Sequence, residues 1–126
     1  MERLMTKSVL IVEDSRAMRG LIRATVEQMP GYITHEAGSG FDALKALPSR
    51  RFDLIITDIN MPDINGLELI SFVKGHPQYR DIPLIVVSTE RSEEDRKRGL
   101  ALGASGYIVK PFKGEELQEL IRSIVS

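Results

Sequence analysis

The chain has no cysteine, which excludes a disulfide scaffold, a cysteine-ligated zinc site, an iron–sulfur cluster and a thiol nucleophile. No apolar run approaches the ~18 residues of a membrane span, and Met1–Ser8 lacks the apolar middle of a signal peptide. Charge of one sign is also missing: 17 Lys+Arg against 18 Asp+Glu leave a formal charge of -1. That balance argues against direct nucleic-acid binding and against membrane insertion or coating. No Gly-x4-Gly-Lys-Ser/Thr loop occurs, and no Gly-x-Gly-x-x-Gly follows the first apolar run, so a nucleotide is not the expected ligand. Repeats, linkers and low-complexity tracts are absent too. What remains is a soluble, cytoplasmic chain of 126 residues, long enough to bury about two thirds of its surface without staples. It reads as one domain over 1–126, with 1–7 as an N-terminal extension and no output domain after the last helix.

The apolar runs are short, regularly spaced and rich in β-branched residues. Val9–Val12, Leu54–Ile56 and Ile82–Val87 are continuous rather than alternating, as in strands covered on both faces. Tyr32–Glu36 and Gly106–Val109 read as strands nearer a sheet edge. Pro83 lacks a ladder donor and belongs at the very start of its strand. Between the runs the period becomes helical. Met18, Leu21, Ile22, Thr25 and Met29 form one stripe, opened by Ser15 as N-cap and closed by Pro30-Gly31. Phe41, Leu44 and Leu47 form a second, ended by Pro48. Leu67, Ile70 and Phe72-Val73 follow Asn65-Gly66, and Leu117, Leu120, Ile121, Ile124 and Val125 make the last stripe. The helix of Glu93–Leu102, with Ser92 as N-cap and Gly103 as stop, has almost no apolar stripe before Leu100. It is either a solvated face or a movable, partner-binding element. His35 and His76 have ordinary surface readings. Gly66 serves a turn with positive φ or a close backbone approach.

Strand and helix alternate five times, which means a parallel sheet with right-handed crossovers and helices on both faces. Ligands of such sheets bind beyond the carboxyl ends of the strands. Those ends are polar in a correlated way: Glu13-Asp14 after the first, Asp58 and Asn60 after the third, Ser88-Thr89 after the fourth and Lys110 after the fifth. Two unit charges 4 Å apart repel by about 4 kcal/mol at an effective dielectric of 20. Glu13, Asp14 and Asp58 brought together would therefore require a cation or a retained proton. An all-oxygen donor set favours a hard ion, Mg²⁺ before Ca²⁺. A metal, a lysine and a hydroxyl around Asp58 make a phosphoryl-transfer arrangement with that carboxylate as nucleophile. The competing reading is three unrelated helix caps and a surface lysine.

Three motifs, in order and at the right intervals, carry a resemblance: Val-Leu-Ile-Val-Glu-Asp-Ser at 9–15, Asp-Ile-Asn-Met-Pro-Asp-Ile-Asn-Gly at 58–66 and Gly-Ala-Ser-Gly-Tyr-Ile-Val-Lys-Pro-Phe at 103–112. From about Lys7 onward the chain resembles the receiver domain of two-component response regulators, above all the stand-alone CheY-like type. The resemblance implies a flavodoxin-like (βα)5 fold with strand order 2-1-3-4-5. It implies Asp58 as phosphoacceptor from a histidine kinase and Mg²⁺ as cofactor, bound by Asp14 and Asp58 directly, by Glu13 through water and by the backbone carbonyl of Asn60. Ser88 and Lys110 are implied as phosphoryl-binding groups, Tyr107 as the aromatic that moves with Ser88, and Lys110–Pro111 as a cis peptide. Two departures are Glu13 in place of Asp and Thr89 where many relatives carry Ala; Glu90 is placed near the pocket mouth.

The expected function is a phosphorylation-controlled switch that signals through the last two helices and the strand between them to a downstream target protein. Such a chain catalyses only its own phosphorylation and dephosphorylation, as a monomer or weak dimer. Rival readings are a receiver excised from a larger regulator, a scaffold indifferent to phosphorylation, and a Mg²⁺-dependent phosphatase with an aspartyl nucleophile. The last lacks a second acid two residues beyond Asp58.

Overall fold

The computed structural model describes residues 6–89 and 93–125. Eleven elements follow one another: β1 (Lys7–Val12), α1 (Arg16–Glu27), β2 (Tyr32–Ala37), α2 (Gly40–Ala46), a 3-10 turn (Leu47–Ser49), β3 (Leu54–Asp58), α3 (Gly66–Gly75), β4 (Leu84–Ser88), α4 (Glu93–Leu102), β5 (Gly106–Val109) and α5 (Gly114–Ile124). The five strands form one parallel sheet in the order β2-β1-β3-β4-β5. Fold class and strand order are those expected from the sequence.

Side chains alternate faces along each strand, so each apolar run feeds two cores. Leu10, Val12, Ile55, Leu84 and Val86 pack with Ala43 of α2 and Leu69, Ile70 and Val73 of α3. Val9, Ile11, Leu54, Ile56, Ile85 and Val87 pack with Ile22 and Val26 of α1 and Leu117 and Ile121 of α5. Double burial is what makes the runs continuous instead of alternating.

Several boundaries shift for identifiable reasons. β1 begins at Lys7, whose N–H donates to the Gly31 carbonyl at 2.8 Å. β4 starts at Leu84 and not at Ile82: Pro83 has no N–H to give, and only its carbonyl joins the pairing, accepting from Ile55 N–H at 3.0 Å. Leu21, Phe41 and Phe72, members of the expected stripes, are 51%, 57% and 43% exposed, while Val26, Ala43 and Leu69 take the inward positions. Ser15 caps α1 as expected, accepting from Met18 N–H at 3.2 Å. Gly103 ends α4 with φ +116. Ser92 and Glu90 lie outside the described residues. His35 is more than a surface residue: half-buried on β2, it stands edge-on to Phe52 at 5.7 Å, and burial lowers its pKa. His76 ends α3 and stacks on Tyr79 at 4.5 Å.

The poorly striped helix is held lightly. Of α4 only Gly99 is buried, against the side chains of Val86 and Leu67, and Leu100 and Leu102 remain exposed. The ion pairs Arg96–Glu93, Arg98–Glu94 and Arg98–Asp95 along it are each 3.8 Å long, and the arginines and glutamates are largely solvated, a geometry worth little. Among the described residues, no helix is long and apolar enough to cross a membrane.

Candidate functional site

The register of the parallel strands brings the polar ends together. Val12 pairs with Thr57, Asp58 with Val87 and Ser88 with Val109, so the residues following β1, β3 and β5 emerge on one edge. Glu13 leaves β1 with its N–H bound to the Ala37 carbonyl at 3.0 Å. Its side chain turns inward and is buried, as are Asp58 and Ser88, whereas Asp14 stays exposed. One carboxylate oxygen from each of Glu13, Asp14 and Asp58 falls within 4.8 Å of the others. The cluster expected from the strand ends is therefore present, and three unrelated caps would not produce it.

Hydrogen bonds fix each member. The Ile59 N–H donates to Asp58 Oδ1 at 2.8 Å, which sets the rotation of that carboxylate. Lys110 Nζ donates to Glu13 Oε1 at 2.8 Å and lies 3.6 Å from Asp58 Oδ2. The second oxygen of Glu13 accepts from Ser15 N–H at 3.1 Å. Glu13 thus has both oxygens engaged, and its extra methylene relative to Asp lets it reach the lysine. Lys110 precedes Pro111 through a cis peptide bond. Tyr107, half-buried on β5, packs against the core shared with α2 and α3. Asn60 is exposed in the loop after β3, and Thr89 is exposed beside Ser88.

Burial pushes the pKa of Glu13 up, opposed by the Lys110 hydrogen bond, and pushes Asp58 up, opposed by the Lys110 charge; Asp14 raises Asp58 further. One lysine does not compensate three clustered carboxylates, and the pocket favours additional positive charge. Oxygen donors at this spacing suit a small hard cation that keeps several of its waters.

Arg19 was not anticipated. Its guanidinium donates to the Glu13 carbonyl at 2.8 Å and to Glu36 Oε1 at 2.8 Å, tying the β1 exit to β2. Its partner on β2 lies 17 residues further along the chain and becomes visible only in three dimensions. Gly66 resolves in favour of close approach: a Cβ there would lie 2.2 Å from the Asp58 carbonyl oxygen, and its φ is not positive.

Comparison with known proteins agrees with this geometry. Residues 9–122 match the response regulator receiver domain. A chemotaxis protein CheY homolog from Campylobacter jejuni is 36% identical over 118 residues, covering 93% of this chain and 91% of that protein. The crystal structure of Vibrio cholerae CheY4 superimposes with a TM-score of 0.88 at 36% identity, over 95% of this chain and 99% of that one. The receiver domain of a sensor histidine kinase from Pseudomonas aeruginosa, solved with a magnesium ion coordinated in its active-site cleft, gives a TM-score of 0.82 at 28% identity over 93% and 96%. Strand order, the acidic edge and the sequence match converge: the chain belongs to the response regulator receiver family and is a CheY-like member of it.

Proposed function

We propose that this chain is a phosphorylation-dependent switch whose acceptor is Asp58. The observation that carries the reading is the buried Asp58 carboxylate, oriented by the Ile59 amide and flanked within one pocket by Glu13, Asp14 and Lys110. A phosphohistidine of a histidine kinase is the donor. An oxygen of Asp58 attacks phosphorus, a P–O bond forms, and the P–N bond breaks with its electron pair leaving on the imidazole. Hydrolysis of the acyl phosphate by water returns the carboxylate and inorganic phosphate. Asp14, Asp58 and the Asn60 carbonyl are the residues that would hold Mg²⁺, with Glu13 acting through water. When bound, the ion neutralises charge on the transferring phosphoryl oxygens. The P. aeruginosa receiver with its magnesium supports that assignment.

The chain's own residues then transmit the change. Phosphorylation replaces one negative charge by about two and adds acceptor oxygens. Lys110 leaves Glu13 for the phosphoryl group, Ser88 turns its hydroxyl toward it, and Tyr107 follows inward. A differential stabilisation of about 3 kcal/mol inverts a two-state population. α4 buries a single residue, so it is the α-helix most easily moved, and the α4–β5–α5 face is the docking surface for a downstream protein. The chain acts on no other substrate in this reading, because Asn60 stands where an aspartyl phosphatase needs an acid. It works in the cytoplasm, where the kinase's phosphohistidine is presented.

Phosphoramidate, a small P–N donor, provides the test. With Mg²⁺ it is expected to add one hydroxylamine-labile phosphoryl group to the intact chain and none to Asp58→Asn; labelling of the variant would reject Asp58 as acceptor. Lys110→Ala is expected to keep Mg²⁺ binding, since a competing cation is removed, yet to lose the Tyr107 ring response seen by NMR. A ring that still reorients would contradict the coupling.

A further inference from the structure

The loop 59–65 between β3 and α3 is pinned at both ends. Ile59 and Met61 are buried, and the Ile59 carbonyl accepts from Gly66 N–H at 2.8 Å. At the other end Asn65 caps α3, its Oδ1 accepting from Glu68 N–H at 2.9 Å while Glu68 returns a bond to Asn65 N–H at 3.0 Å. The exposed crest between them leans on α2. Asp63 places its two oxygens on consecutive amides there, accepting from Gly40 N–H at 3.1 Å and Phe41 N–H at 2.9 Å. The Phe41 amide foremost, with the neighbouring backbone amides, holds its carboxyl below the usual range although it is exposed. The contact is tight: a Cβ on Gly40 would lie 2.6 Å from both Cβ and carbonyl oxygen of Ile64. Ser39, the cap of α2, satisfies a different amide, that of Asp42 at 3.1 Å. Asp63 is therefore not needed to start the helix. Its bonds serve to fasten the crest, three residues beyond Asn60.

We infer that Asp63 is a positioning residue for the metal site, its twin hydrogen bonds to the start of α2 holding the loop so that the Asn60 carbonyl can meet the ion. This rests on the proposed Mg²⁺ site. The chemistry gives the inference a distinctive signature. Mg²⁺ demands near-ideal octahedral geometry, whereas Ca²⁺ tolerates variable geometry and ligand number. A loosened carbonyl therefore penalises Mg²⁺ selectively, while loss of a surface charge weakens both ions alike.

Titration calorimetry of the full chain with Mg²⁺ and, separately, Ca²⁺ tests this in the parent, Asp63→Ala and Ser39→Ala. Asp63→Ala should bind Mg²⁺ about tenfold more weakly, the size of effect typical when a supporting partner of a ligand is removed. Its Ca²⁺ affinity should fall much less. Ser39→Ala, which weakens α2 without releasing the crest, should bind Mg²⁺ like the parent. Unchanged Mg²⁺ affinity in Asp63→Ala, an equal loss for both ions, or an equal loss in Ser39→Ala would each overturn the positioning role. Failure of the parent to bind Mg²⁺ is a separate outcome: it rejects the metal site itself, and the inference with it.

Discussion

Asp58→Asn is expected to abolish the rise in melting temperature that Mg²⁺ with beryllofluoride produces in the parent, while raising stability in their absence. The second half follows from burial. Asp58 is 7% exposed and its carboxyl pKa is pushed up, chiefly by desolvation. A carboxyl whose folded pKa exceeds its unfolded value binds more protons folded than unfolded between the two. Stability therefore falls as pH rises through that window, and above it the folded state carries the full cost of the buried charge. Asparagine removes the charge, retains an oxygen for the Ile59 amide and leaves Lys110 paired with Glu13. Relief of about 1 kcal/mol would raise the melting temperature by about 4 °C in a domain of this size. Scanning calorimetry at pH 7, with and without the mimic, reads both effects. A mimic-dependent rise persisting in the variant would place the acceptor elsewhere.

Gly66→Ala is expected to be the most damaging single methyl group near the site. The new Cβ would sit 2.2 Å from the Asp58 carbonyl oxygen and 2.9 Å from the Ile59 Cα. Both neighbours are backbone, so β3's exit or the start of α3 must move. A cost of about 3 kcal/mol is the upper part of the range for overpacking, and it lowers the melting temperature by roughly 10 °C. Displacing Ile59 also misaligns the amide that orients Asp58, so phosphoryl uptake should fall with stability. Gly20→Ala is the control: nothing lies within 4 Å of its added Cβ, and alanine in an exposed helix interior gains up to about 1 kcal/mol. A Gly66→Ala chain that melts with the parent would show that the close approach imposes no constraint.

The parts of the fold visible in sequence are those where one local pattern serves one physical demand. Val9–Val12, Leu54–Ile56 and Leu84–Val87 are continuous because both of their faces are covered, and the acids stand out because they end those runs. Helix faces were read less well. A spacing of three and four residues identifies a stripe but not its edges, so Leu21, Phe41 and Phe72 looked inward although they are exposed. Pairings between distant segments left no local trace. Glu13 and Lys110 are 97 residues apart and meet at 2.8 Å only because the carboxyl ends of β1 and β5 open on the same side of the parallel sheet. The contacts of Arg19 with Glu36 and of Asp63 with α2 belong to the same class. The strand ends disclosed which groups gather, and the crossovers decided which of them touch.

The central claim is that one pocket both holds the cation and receives the phosphoryl group, and backbone amide NMR of the labelled chain tests it most directly. Mg²⁺ alone should perturb residues 13–14 and 58–60 first. Beryllofluoride added next should move Ser88, Tyr107, Lys110 and the amides of α4. Shifts from Mg²⁺ that centre away from Glu13, Asp14 and Asp58, or a mimic that leaves β4, β5 and α4 unmoved, would contradict the account.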